Sequence, residues 1–142
     1  TRRSSDLRKL VMSDAVILCV DDEISILKSL EMELQAAFED KYLYEFAESA
    51  DEALEIIDEL YENGEQILII VSDWLMPGMK GDQFLINVHH KYPDIIKVML
   101  TGQADDEAVE RAQQYANLYR CLHKPWNTKE LISTIKSALV KL

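Results

Sequence analysis

A doubly wound α/β fold, with five parallel strands and five helices laid over both faces of the sheet, follows from three features of this 142-residue sequence. From residue 16 onward, short runs rich in Val, Ile and Leu alternate five times with longer segments whose apolar residues recur every three or four positions. The first run is unbroken and the third is the most hydrophobic, as expected of strands covered on both faces. Hydrophobic residues make up 48% of the chain, enough for a single core at a length suited to one domain. Regular alternation of strand and helix then requires right-handed crossovers between parallel strands.

Strand β1 is the run Val16–Val20. Ile24, Leu27, Leu30, Leu34 and Phe38 follow at helical spacing and mark α1. Tyr42–Ala47 reads as β2. Helix α2 spans Ala50–Glu62, turning Ala53, Leu54, Ile57 and Leu60 inward and stopping at Asn63-Gly64. Ile67–Ser72 is the expected central strand, β3. After a loop through Gly81, α3 runs over Asp82–Lys91 and ends at Tyr92-Pro93. Ile95–Leu100 is β4, Asp105–Tyr115 is α4 and Leu118–Leu122 is β5. Thr128 is the expected cap of α5, with Leu131, Ile135, Ala138, Leu139 and Leu142 as its stripe.

Charge narrows the function. There are 26 Asp and Glu against 15 Lys and Arg, a net charge of −11. Residues 1–14 carry a local +2, so residues 15–142 stand at −13. A body this acidic is repelled by phosphate backbones, which argues against direct nucleic-acid binding. The four glycines are scattered singly and form no phosphate-cradling loop. No apolar run reaches the ~18–20 residues of a membrane span, and the N-terminus lacks a signal-peptide core, so a soluble cytoplasmic protein is expected. Residues 1–14 read as an N-terminal extension, either a basic linker or a leftover preceding a natural start at Met12, and residues 15–142 as the domain. Cys19 and Cys121 read as buried strand thiols rather than a disulfide.

Ligands of doubly wound sheets bind beyond the carboxyl ends of the strands, where the strand order reverses. Asp21, Asp22 and Glu23 follow β1, Asp73 follows β3, Thr101 and Gly102 follow β4, and Lys124 and Pro125 follow β5. Singly, each has an ordinary reading as a helix start, a turn or a loop residue. Jointly, Asp21, Asp22 and Asp73 make a crowded anionic pocket in which each close pair repels by roughly 4 kcal/mol at an effective dielectric near 20. Such a pocket needs a cation, and an all-oxygen donor set completed by phosphate suits Mg²⁺. Lys124 adds a movable positive charge suited to a phosphoryl oxygen. A carboxylate nucleophile, a metal, a lysine and a hydroxyl together serve phosphoryl transfer. Asp73 is the expected nucleophile because it ends the central strand.

Val20-Asp21-Asp22-Glu23, the run from Asp73 through Leu75-Met76-Pro77-Gly78 to Gly81, Leu100-Thr101-Gly102 and Lys124-Pro125-Trp126 resemble, in order and spacing, the receiver domains of two-component response regulators. The resemblance covers about residues 15–141. It implies a flavodoxin-like sheet of order 2-1-3-4-5 and a phosphoacceptor switch rather than an enzyme, with at most self-phosphorylation from small donors and slow autodephosphorylation. Asp73 is then the acceptor of a phosphoryl group from a histidine kinase or histidine phosphotransfer protein. Asp22, Asp73 and the main-chain carbonyl of Leu75 are direct Mg²⁺ ligands, with Asp21 acting through water. Thr101 is the switch hydroxyl and Lys124 the ion-pairing lysine, aimed by a cis Lys124–Pro125 peptide. The expected output is a change in the α4-β5-α5 surface, read by an output domain or effector or by a second copy in a homodimer. Alternatives are a non-phosphorylated pseudo-receiver and a Mg²⁺-dependent aspartyl phosphatase; the latter carries a second Asp where Leu75 stands.

Some features depart from that pattern. The family usually places Tyr or Phe three residues before the lysine, where this chain has Cys121; Tyr119, one pleat away, is expected on the same strand face. Leu75 offers an attacking water no hydrogen bond, whereas Gln103 could. His89-His90 diverge on a helix and make poor metal geometry, His123 is expected to be a plain strand-end residue, and Trp74 and Trp126 are expected to be partly packed. Cys19 and Cys121, on strands separated by two others, should lie about 14 Å apart, beyond any disulfide.

Overall fold

The computed structural model describes residues 15–102 and 106–142. The N-terminal extension, Gln103 and Asp105, the expected first residue of α4, lie outside the described residues. Five parallel strands, β1 (Ala15–Val20), β2 (Leu43–Ala47), β3 (Gln66–Asp73), β4 (Ile96–Thr101) and β5 (Arg120–His123), form one sheet in the order β2-β1-β3-β4-β5. The helices are α1 (Ile24–Phe38), α2 (Ala50–Glu62), α3 (Gly81–Lys91), α4 (Asp106–Ala116) and α5 (Thr128–Val140). The expected fold is the one observed.

Strand alternation divides the core in two. Val16, Leu18, Val20 and Ile70 face one side and pack with α2, α3 and α4, while Ile17, Cys19, Ile69 and Val71 face the other and pack with α1 and α5. The β1–β3 register slips between Val16 and Ile17, so that Val16 pairs with Ile67 and Ile17 with Ile69. Leu68 is the extra residue, and it shares a face with Ile69. A run of apolar residues gives no hint of this bulge, because every register of such a run buries apolar side chains.

Several boundaries differ from expectation. A 3-10 turn over Glu39–Lys41 precedes β2, which starts at Leu43 rather than Tyr42. Asp73 and Thr101 are the last residues of their strands rather than the first beyond them. Strand β5 begins at Arg120, because Asn117 turns through the left-handed region (φ 54°) and Leu118 N–H closes onto Ala112 O. The cap of α5 is Asn127, not Thr128: its side chain accepts from the Lys129 and Glu130 N–H groups. Ile24 and Leu142, both placed in apolar stripes, are more than half exposed at the ends of their segments. Cys19 is buried as expected, whereas Cys121 is only half-buried; both are free.

The late start of β5 also turns Tyr119 away from its expected face. Cys121 packs on the α4 side, but Tyr119 precedes the ladder, packs with the α1/α5 core, and places its hydroxyl 2.6 Å from Ser137 Oγ. It cannot substitute for an aromatic at position 121.

One glycine fixes how α3 approaches the sheet. A Cβ on Gly81 would lie 2.1 Å from Asp73 O and 2.8 Å from Trp74 Cα, and Gly81 N–H donates to Trp74 O at 2.7 Å. Both obstacles are backbone, so Gly81→Ala must push α3 off the end of β3. A loss of about 3 kcal/mol is expected in urea denaturation, and a loss below about 0.5 kcal/mol would contradict this packing.

Candidate functional site

The carboxyl edge of the sheet gathers the polar residues expected there, at the reversal of strand order between β1 and β3. Asp21 follows β1, with its N–H on Ala47 O and its side chain fully buried. Its Oδ1 accepts from Glu23 N–H at 2.8 Å, shaping the turn into α1, and its Oδ2 accepts from Lys124 Nζ at 2.8 Å. Asp22 is exposed beside it. Asp73 is only 4% exposed, with Oδ1 3.1 Å from the same Lys124 Nζ. Ligand oxygens of Asp21, Asp22 and Asp73 all lie within 4.8 Å of one another.

The frame around them is held by backbone bonds. Trp74 N–H donates to Leu100 O and Lys124 N–H donates to Thr101 O, each at 2.8 Å, tying the loops after β3 and β5 to β4. Thr101 is buried at the end of β4, one residue past the partner of Asp73 in the ladder. The Lys124–Pro125 peptide is cis. Leu75 turns its side chain to solvent. His123 is exposed; Trp74 is buried, and Trp126 is half-buried with its Nε1–H on Glu33 at 2.9 Å.

Electrostatics follow from burial. Loss of water, the largest influence, pushes the Asp73 carboxyl up from 3.8 to about 6; Lys124 pulls it down, and Asp21 and Asp22 push it up. Burial opposes the charge on Lys124, but its hydrogen bonds to Asp21 and Asp73 outweigh burial and raise its pKa. The sign for stability is clear. Above pH 6 Asp73 is ionised both folded and unfolded, and the folded state bears the cost of a buried charge; between pH 6 and 4 the folded state takes up the proton first, and the cost disappears. Asp73→Asn in EDTA should therefore be more stable than the wild type by about 2 kcal/mol at pH 7.5, with the advantage vanishing near pH 4. An advantage that grew on acidification would contradict this account.

Two polar clusters have no counterpart in the sequence reading. Trp74 Nε1–H donates to Asp82 Oδ1 at 3.2 Å, and Asp82 Oδ2 pairs with Arg111 of α4 at 2.6 Å. On β4, the buried Lys97 reaches Ile95 O at 2.6 Å and His89 Nδ1 at 2.9 Å, and burial lowers its pKa to about 8. Asp82 and Arg111 stand 29 positions apart on two different helices, so their spacing in the sequence carries no signal of the pair. A lysine inside an apolar run was the one visible signal of the second cluster.

Fold and site together define a flavodoxin-like domain whose switch point carries three clustered carboxylates and one lysine. The chain belongs to the response regulator receiver domains, whose family model matches residues 17–136. It is 30% identical over 130 residues to the hydrogenase transcriptional regulatory protein HoxA of Cupriavidus necator, covering 90% of this chain and 25% of that protein. It is 34% identical over 127 residues to the sensor kinase CckA of Brucella abortus, covering 89% of this chain and 13% of that one. The chain thus spans a quarter or less of these two relatives. Among solved structures, the signal receiver domain of an HD domain-containing protein from Pseudomonas fluorescens superposes with a TM-score of 0.81 at 29% identity, covering 89% of this chain and 95% of that one. Among the described residues, no helix is long and apolar enough to cross a membrane.

Proposed function

We propose that this receiver domain accepts a phosphoryl group on Asp73 from a histidine kinase or histidine phosphotransfer protein in the cytoplasm, in a Mg²⁺-dependent reaction. The observation that carries the reading is the cluster of Asp21, Asp22 and Asp73, with Lys124 bridging the two buried acids. Three carboxylates against one lysine leave an excess of negative charge, which fits a divalent cation. Asp22, Asp73 and the Leu75 carbonyl would hold Mg²⁺ directly and Asp21 through water, and the bound ion would neutralise charge on phosphoryl oxygens. Both oxygens of Asp21 are already engaged, by Glu23 N–H and Lys124, which supports the indirect role.

The chain's own residues supply the rest. With its pKa near 6, Asp73 is ionised and nucleophilic at neutral pH. Its carboxylate oxygen bonds to phosphorus as the phosphorus–nitrogen bond of the donor breaks, and the imidazole leaves with that electron pair. Lys124 and the Thr101 hydroxyl then face the new dianion, and their shift toward it is the proposed start of switching at the α4-β5-α5 surface, where an effector, an output domain or a second copy would read it. No acid stands at Leu75 to drive turnover, which favours a switch over a phosphatase.

Incubation with Mg²⁺ and beryllofluoride tests the reading by fluorine NMR. A bound fluoride signal that requires both Mg²⁺ and Asp73 is expected. Steady release of phosphate from a phosphomonoester would overturn it in favour of the phosphatase, and Mg²⁺ binding without any adduct would favour the pseudo-receiver.

A further inference from the structure

On the α4 side of the sheet, the β5 residue that packs on the core is the small Cys121, while Tyr119, just before β5, packs on the α5 side. Helix α4 packs closely on its neighbours through small side chains: its buried residues are Ala108, Ala112 and Ala116, with Val109 half-buried against the same core. Arg111 gives it a directional tie to α3. Nη1 pairs with Asp82 Oδ2 at 2.6 Å and Nη2 donates to Gln83 Oε1 at 3.0 Å, a two-point hold on the first turn of α3. Asp82 is 6% exposed, and its other oxygen takes the Trp74 indole N–H. Trp74 shares a peptide bond with Asp73, and Gly81 N–H closes onto its carbonyl. A continuous path, one peptide bond followed by two side-chain hydrogen bonds, therefore runs from Asp73 through α3 to α4.

We propose that Arg111 is a positioning residue that makes α4 follow the acceptor loop: displacement of residues 73 and 74 on adduct formation is passed through Trp74 and Asp82 to Arg111. The inference rests on Asp73 being the acceptor. It differs from switching through Thr101 in its route, which runs through α3 rather than through β4 and the segment that follows it. Coupling of this kind is a free energy shared between two sites, so it is measurable at either end.

Hydrogen exchange of residues 106–116, with and without Mg²⁺ and beryllofluoride, tests it in the wild type, Arg111→Gln, Arg111→Lys and Trp74→Phe. Arg111 is half-exposed, so its variants should fold, and thermal melting without beryllofluoride verifies this. Fluorine NMR reports the adduct separately. In the wild type, adduct formation should change α4 protection by about fivefold or more. In Arg111→Gln and Trp74→Phe the adduct should still form while the α4 response collapses, and Arg111→Lys should restore part of it. A merely structural role would change the starting protection of α4 but not its response. Adduct formation with an undiminished α4 response in Arg111→Gln and Trp74→Phe would overturn the proposal, as would a wild-type adduct with no α4 response. A wild type that takes no adduct would overturn the acceptor reading first, and this inference with it.

Discussion

Lys124→Ala is expected to lose about 3 kcal/mol of stability in EDTA and to recover most of it when Mg²⁺ is added. Lys124 Nζ lies 2.8 Å from Asp21 Oδ2 and 3.1 Å from Asp73 Oδ1, and both acids are almost completely withdrawn from water. Truncation leaves two buried carboxylates facing each other with no cation between them. Removing one partner of a buried pair costs more than the pair contributes, because the remaining charge keeps its desolvation penalty. A divalent ion that binds only the folded state restores the compensation by mass action, so Mg²⁺ should stabilise the variant more than the wild type. Denaturant titrations of both proteins in EDTA and in Mg²⁺ read this directly. A variant destabilised equally in both media would show that Lys124 acts through packing alone.

Asp73→Asn is expected to abolish phosphoryl uptake while leaving the fold intact. The amide keeps the shape of the side chain but has no ionised oxygen to bond to phosphorus, and the nearby acids are poor substitutes. Asp21 is buried with both oxygens engaged, and Asp22 lies in the solvated turn after β1. Protein phosphorylated with acetyl phosphate and read by intact mass should carry one phosphoryl group in the wild type and none in the variant. Uptake persisting in Asp73→Asn would move the acceptor to another residue.

What the sequence made legible follows from where each kind of information resides. Periodicity alone located five strands and five helices, because a buried parallel strand and an amphipathic helix differ over a few residues. The site residues were legible because doubly wound sheets place ligands at strand carboxyl ends, and Asp21, Asp22, Asp73, Thr101 and Lys124 all stand there. Side-chain direction was less accessible. Alternation puts Tyr119 on the face of Cys121 only in a strand that reaches residue 118, and the ladder begins at Arg120. Asn127 and Thr128 are both good caps in adjacent positions, so composition could not separate them. The Trp74–Asp82–Arg111 chain was invisible because its members belong to three elements, and only the packing of α4 on α3 brings them together.

The role proposed for Asp73 is that of phosphoryl acceptor. Its most direct test is to phosphorylate the wild-type chain with acetyl phosphate and Mg²⁺, reduce the acyl phosphate with borohydride, and map the modified residue by peptide mass spectrometry. One modified residue, Asp73, is expected, and only when Mg²⁺ is present. Modification at another residue, or equal modification in EDTA, would contradict it.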